Sequence, residues 1–202
     1  MFRQIFLAFV VFALVGCAHK IEASSVSSVN VYSTRDAKIP GNYNLVIDDN
    51  IKSLTTDVKM SSHACSAHKY PMAVGEPLAQ SIRNATRSAF DQASELKSGG
   101  TPSPEIAGTI IYRLEDFRAR LSCQQGFWSM SCTATTDIGM NVMVRDKEGK
   151  VVVNTAANAS RTVDGEAGSM CDKAGQHVGE SFTKATKEVL ERLLERISSS
   201  KL

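Results

Sequence analysis

Residues 132–144 read CTATTDIGMNVMV. Cys132, Ala134, Thr136, Ile138, Met140, Val142 and Val144 occupy every second place in that run. Side chains of a β-strand point alternately to opposite faces, so this spacing predicts one long strand with a buried face. Asp146-Lys147-Glu148-Gly149 follows as a tight turn, with glycine placed for a left-handed residue. Lys150 to Arg161 then returns as a second strand. Its small, polar stretch Asn154–Ser160 suits a sheet edge, where backbone groups stay unpaired. Upstream, Glu105 to Cys123 reads as a further long strand. Its apolar residues change parity: Ile106, Ile110, Tyr112 and Leu114 are even, whereas Phe117, Ala119 and Leu121 are odd. One extra residue near Glu115–Asp116, a β-bulge, would return both sets to one face.

Helical spacing appears twice. Val74, Leu78, Ile82, Ala85, Ala89, Ala93 and Leu96 recur at steps of three and four, predicting a helix over 74–96 with Pro77 in its first turn. Ser98-Gly99-Gly100-Thr101-Pro102 ends it. Ala174, Val178, Phe182, Ala185, Val189, Leu193 and Ile197 form the stripe of a second helix. Tyr43–Asp48 and Leu54–Met60 read as short strands around the turn sequence Asp48-Asp49-Asn50. The order is β-β-α-β-β-β-α. It predicts an α+β two-layer sandwich, with two helices packed on one face of a mainly antiparallel sheet.

The start of the chain carries an address. Arg3 precedes Ile5 to Val15, a run without charge or polar side chain, and then come Gly16 and Cys17. The run is too short to span a bilayer, which takes about 20 apolar residues, and suits the apolar core of an export signal. Leu14-Val15-Gly16-Cys17 resembles a bacterial lipobox. That resemblance implies a signal peptide at 1–16, cut before Cys17, and lipidation of Cys17 by diacylglycerol and a further acyl chain such as palmitate. Ala18 in the next place implies the outer membrane, because aspartate there resembles an inner-membrane retention signal. Residues 17–30 read as lipidated cysteine and polar tether, and 31–202 as a single periplasmic domain.

Composition narrows the function. A formal net charge of +2 with no concentration of Lys and Arg excludes an electrostatic footprint for nucleic acid. Cys65, Cys123, Cys132 and Cys171 form an even set in an exported chain, so they read as two disulfides. Three connectivities are open. Cys123–Cys132 and Cys65–Cys171 are preferred, because the first pair would flank a hairpin loop and the second would join two helix entries. His63, Cys65 and His68 form H-x-C-x-x-H, the densest set of possible metal ligands in the sequence. A disulfide at Cys65 would remove its thiolate, so no metal is expected, with His63 and His68 the remaining candidates. Asp48-Asp49 and Glu115-Asp116 are adjacent carboxylates, which on a strand face opposite ways and make poor dyads. No nucleophile elbow, phosphate loop or zinc-protease motif occurs, and no enzyme and no cofactor is expected.

Gln124–Met130 holds the only tryptophan. Phe127, Trp128 and Met130 would make either a contact patch at a loop tip or a cap over the core. A lipobox, a tether and an α+β domain together resemble small Gram-negative outer-membrane lipoproteins of the lipopolysaccharide-assembly and YajG-like type. The resemblance implies a non-catalytic interaction or assembly component of the cell envelope, with an envelope protein as partner and the membrane reached through the lipid. The alternative is a lipoprotein that binds lipid or metal.

Overall fold

The structure, a computed structural model, describes residues 18–30, 38–96 and 106–200. Cys17 and the expected signal peptide therefore lie outside the described residues, as does the Gly-rich loop at 98–102.

The sheet is built around the long strand that holds Cys132–Val144. Its strands are β1 (Ile39–Ile47), β3 (Lys59–Met60), β5 (Phe90–Glu95), β6 (Gly108–Gln125), β7 (Met130–Asp146) and β8 (Val151–Glu166). The order is β5-β1-β6-β7-β8. β6, β7 and β8 are antiparallel neighbours, whereas β1 pairs parallel with both β5 and β6. β3 pairs parallel with β6 at Arg120 and Leu121, farther along the side that β1 occupies. The sheet is thus mixed, with its long antiparallel part at one side. A two-stranded ribbon of β2 (Thr55–Asp57) and β4 (Pro71–Ala73) stands apart.

Every member of the alternating set from Cys132 to Val144 is buried. The parity change in β6 is resolved by a bulge where it was expected. Leu114 faces Met140 and Phe117 faces Ile138, with the register shifting between Leu114 and Asp116. Both apolar sets consequently meet the helices. The cross-sheet hydroxyls Thr136 Oγ1 and Ser181 Oγ satisfy each other at 2.7 Å in the buried layer, which removes the cost of burying them unpaired.

Three helices occur among the described residues: α1 (Asp49–Lys52), α2 (Gly75–Ala89) and α3 (Ala174–Ser199). The stripe on α3 is fully buried from Ala174 to Ile197. Helix α2 is shorter than its spacing predicted. It stops at Ala89, and Phe90 turns straight into β5, so Ala93 and Leu96 are not helical. Pairing with β1 overrides the helical period there. Glu95 closes the strand with Arg83 Nε at 2.6 Å and Lys52 Nζ at 2.8 Å. Burial alone would raise its carboxyl, but the bonds from Arg83 and Lys52 outweigh that and hold it below the ordinary range. Likewise Asp48 is no free acid: its side chain accepts from Asn50 N and caps α1.

The expected free tether is instead a strap. Ile21, Val26 and Val29 are buried. The backbone of Val26 bonds Ser81 and Asn84 of α2, while Asn30 N donates to Glu191 of α3. Residues 18–30 therefore lie across both helices. Glycines on α3 make room for them: a Cβ at Gly179 would stand 2.6 Å from the backbone oxygen of Glu22.

Candidate interaction site

At the far end of β6 and β7 the hairpin closes over Gly126–Ser129, with Gly126 N donating to Ser129 O at 2.8 Å. Cys123 and Cys132 stand directly opposite each other and are joined by a disulfide, with Cα atoms 4.0 Å apart. Narrow pairs of this kind suit a cross-strand bridge. Beyond it Phe127 is 90% exposed and Trp128 92% exposed. Their rings meet edge to face with centroids 4.8 Å apart, an arrangement aromatic quadrupoles favour. The tip thus projects into solvent and does not cap the core.

Met130 behaves differently from its neighbours. It is half-buried against the core, and its Sδ lies 3.3 Å from Cys65 Sγ. It belongs to the foundation of the tip, not to its contact surface. Its even number gives it the buried parity of Cys132 and Ala134, a signal present in the sequence.

The second disulfide, Cys65–Cys171, lies under the hairpin and spans 106 residues. It is the pairing that the two helix entries suggested. Cys65, Cys123 and Cys132 place their sulfurs within 4.8 Å of one another, so the two disulfides form one sulfur cluster together with Met130. Among the described residues this is the only close group of three metal-ligating types, and disulfide bonding occupies all three sulfurs. His63 is exposed and joins no such group. His68 Nδ1 meets His19 Nε2 at 3.1 Å, a partner that the reading of His19 as part of a tether had concealed.

Strain collects at the same place. Cys65, Met170 and Cys171 are the only non-glycine residues with positive φ among those described, at 63°, 53° and 63°. Left-handed backbone costs roughly 1 kcal/mol or more for such residues. The disulfide, the bond from Ala167 N to Met130 O and the bond from Tyr70 Oη to Cys171 O hold them there. Met170 is 80% exposed as a result. Met170 lies outside any periodic run, so no spacing marks it.

Two of the carboxylates on the sheet are ion-paired. Asp116 pairs with Arg118 at 3.2 Å, and Asp137 with Arg120 at 2.6 Å. The β8 edge is partly closed as well. Arg192 and Arg196 of α3 reach over it and donate to the carbonyls of Asn158 and Ala156, a covering that blocks strand addition along that stretch.

By sequence no family model and no curated protein matches the chain. Solved structures do match in fold. Protein XCC0632 from Xanthomonas campestris, described under the family model DUF330, is 12% identical over 89% of this chain and 93% of its own, at a TM-score of 0.52. A Helicobacter pylori protein called a "putative neuraminyllactose-binding hemagglutinin homolog" is 7% identical over 88% and 93%, at 0.44. A minor lipoprotein from Acinetobacter baumannii is 10% identical over 80% and 90%, at 0.37. The likeness to the Xanthomonas protein is one of fold.

Proposed function

We propose that this chain is a lipid-anchored protein of the outer membrane, facing the periplasm, and that it acts as a non-catalytic interaction component of the cell envelope. The observation that carries the reading is the tip. Two aromatic rings stand almost wholly in water on a hairpin fixed at its base by a cystine. Exposed clusters of large apolar side chains mark contact surfaces, and a pre-ordered one loses little conformational entropy on binding. The address is supported by the Ile5–Cys17 pattern and by two disulfides, which persist in an oxidising compartment.

A photoreactive residue in place of Phe127, introduced in living cells, tests this reading. The expected result is a crosslinked adduct to an envelope component at position 127. A control in the β7–β8 turn, at Lys147, should give none. Adducts from the turn and none from the tip would contradict the proposal.

A further inference from the structure

We infer that Phe127, Trp128 and Met170 form a wedge that sits in the headgroup and upper acyl region of the bilayer holding the lipid on Cys17. This rests on the anchoring reading above and adds what the tip touches.

The described chain begins at Ala18, which bridges to Lys69, and His19 N donates to Lys69 O at 2.8 Å. His19 then meets His68, whose backbone N–H donates to Cys65 O at 3.1 Å. Cys65 is bonded to Cys171, next to Met170, and touches Met130 at the foot of the tip. A continuous set of contacts therefore links Ala18 to the exposed rings. Cys17 directly precedes Ala18 in the sequence. Because residues 18–30 are strapped to the helices, little free spacer separates the lipid from the domain. Acyl chains on Cys17 would bring this end of the molecule, and not the β7–β8 turn, to the membrane surface.

The chemistry of the patch suits that surface. Tryptophan is enriched at membrane–water interfaces because its ring is apolar and its N–H is polar. Phe127, Trp128 and Met170 themselves carry no charge. The contact would thus be apolar, and salt should not displace it.

Trp128 is the only tryptophan, so its emission reports the tip alone. The full-length protein, purified from bacterial membranes, would be reconstituted into phosphatidylethanolamine–phosphatidylglycerol vesicles with and without bromine on the acyl chains. The expected result is emission shifted to shorter wavelength, with most of it lost to brominated chains at low and high salt alike. Phe127→Asp, whose fold is checked by circular dichroism, should lose that quenching several-fold. Vesicle-bound protein whose Trp128 keeps a water-exposed spectrum and escapes bromine would overturn the wedge. So would capture of a protein at position 128 without such quenching. Mass spectrometry of the Cys17 peptide separates the two claims. An unacylated Cys17 would defeat the anchor, and the wedge would then be judged by adding the same vesicles to the soluble chain: quenching supports it, and none overturns it.

Discussion

Trp128 and Tyr112 show two opposite fates of an aromatic side chain. Trp128 gives the folded domain almost no buried area, so Trp128→Ala should change stability by no more than about 0.5 kcal/mol. Urea unfolding of the two proteins checks this, and a loss of several kcal/mol would mean that the ring packs on the core. Tyr112 is wholly buried beneath α2, with its hydroxyl 3.3 Å from Thr86 Oγ1. Burial pushes its pKa up to about 12, against a small opposing effect of the Thr86 bond. The folded state therefore keeps a proton that the unfolded chain releases near its ordinary value of 10.0. Stability is full below that value and falls as pH rises toward 12, by roughly 2–3 kcal/mol for a shift of this size. Tyr112→Phe should remove that alkaline slope, measured as midpoint against pH. At this scale the sequence disclosed that the tip was unusual but not which way it pointed, since loop direction depends on contacts from distant segments. Met130 was the exception, because its parity already assigned it inward.

Among the elements, the hairpin and the strap carry the most testable claims. The Cys123–Cys132 bridge closes a short loop, worth about 2–3 kcal/mol on chain-entropy grounds. Replacing both cysteines with alanine should lower the unfolding free energy by about that amount and raise amide exchange at 124–131. Unchanged exchange would mean that the hairpin orders itself without the bridge. Gly179→Ala puts a methyl group against the backbone of Glu22. The variant should lose about 1–3 kcal/mol and expose residues 18–30 to protease, with the sheet intact. Element prediction succeeded where a period ran unbroken, as in β7 and α3. It succeeded also in β6, where the parity change located the bulge. It failed at Ala89, because Ala93 and Leu96 extend the helical period by coincidence, while β1 pairs with Ala93 and accepts the Leu96 N–H at Leu45 O. It failed again at 18–30, where serines hid Ile21, Val26 and Val29, too widely spaced to show a period.

For the molecule as a whole, these pieces give a direction. The antiparallel strands β6 and β7 run from the sulfur-braced tip to the β7–β8 turn, and the strap begins at the tip end. The α+β arrangement was readable because the order of elements and their buried faces allowed few alternatives. The common end shared by Ala18, the disulfides and the aromatic rings was not readable. It arises from contacts between residues far apart in sequence, such as Cys65 with Cys171. The account depends first on Cys17 carrying lipid. Metabolic labelling with palmitate, comparing the wild-type chain with Cys17→Ser in the same cells, measures this directly. The account predicts strong label on the wild type and none on the variant. Equal label on both, or no label on either, would contradict it.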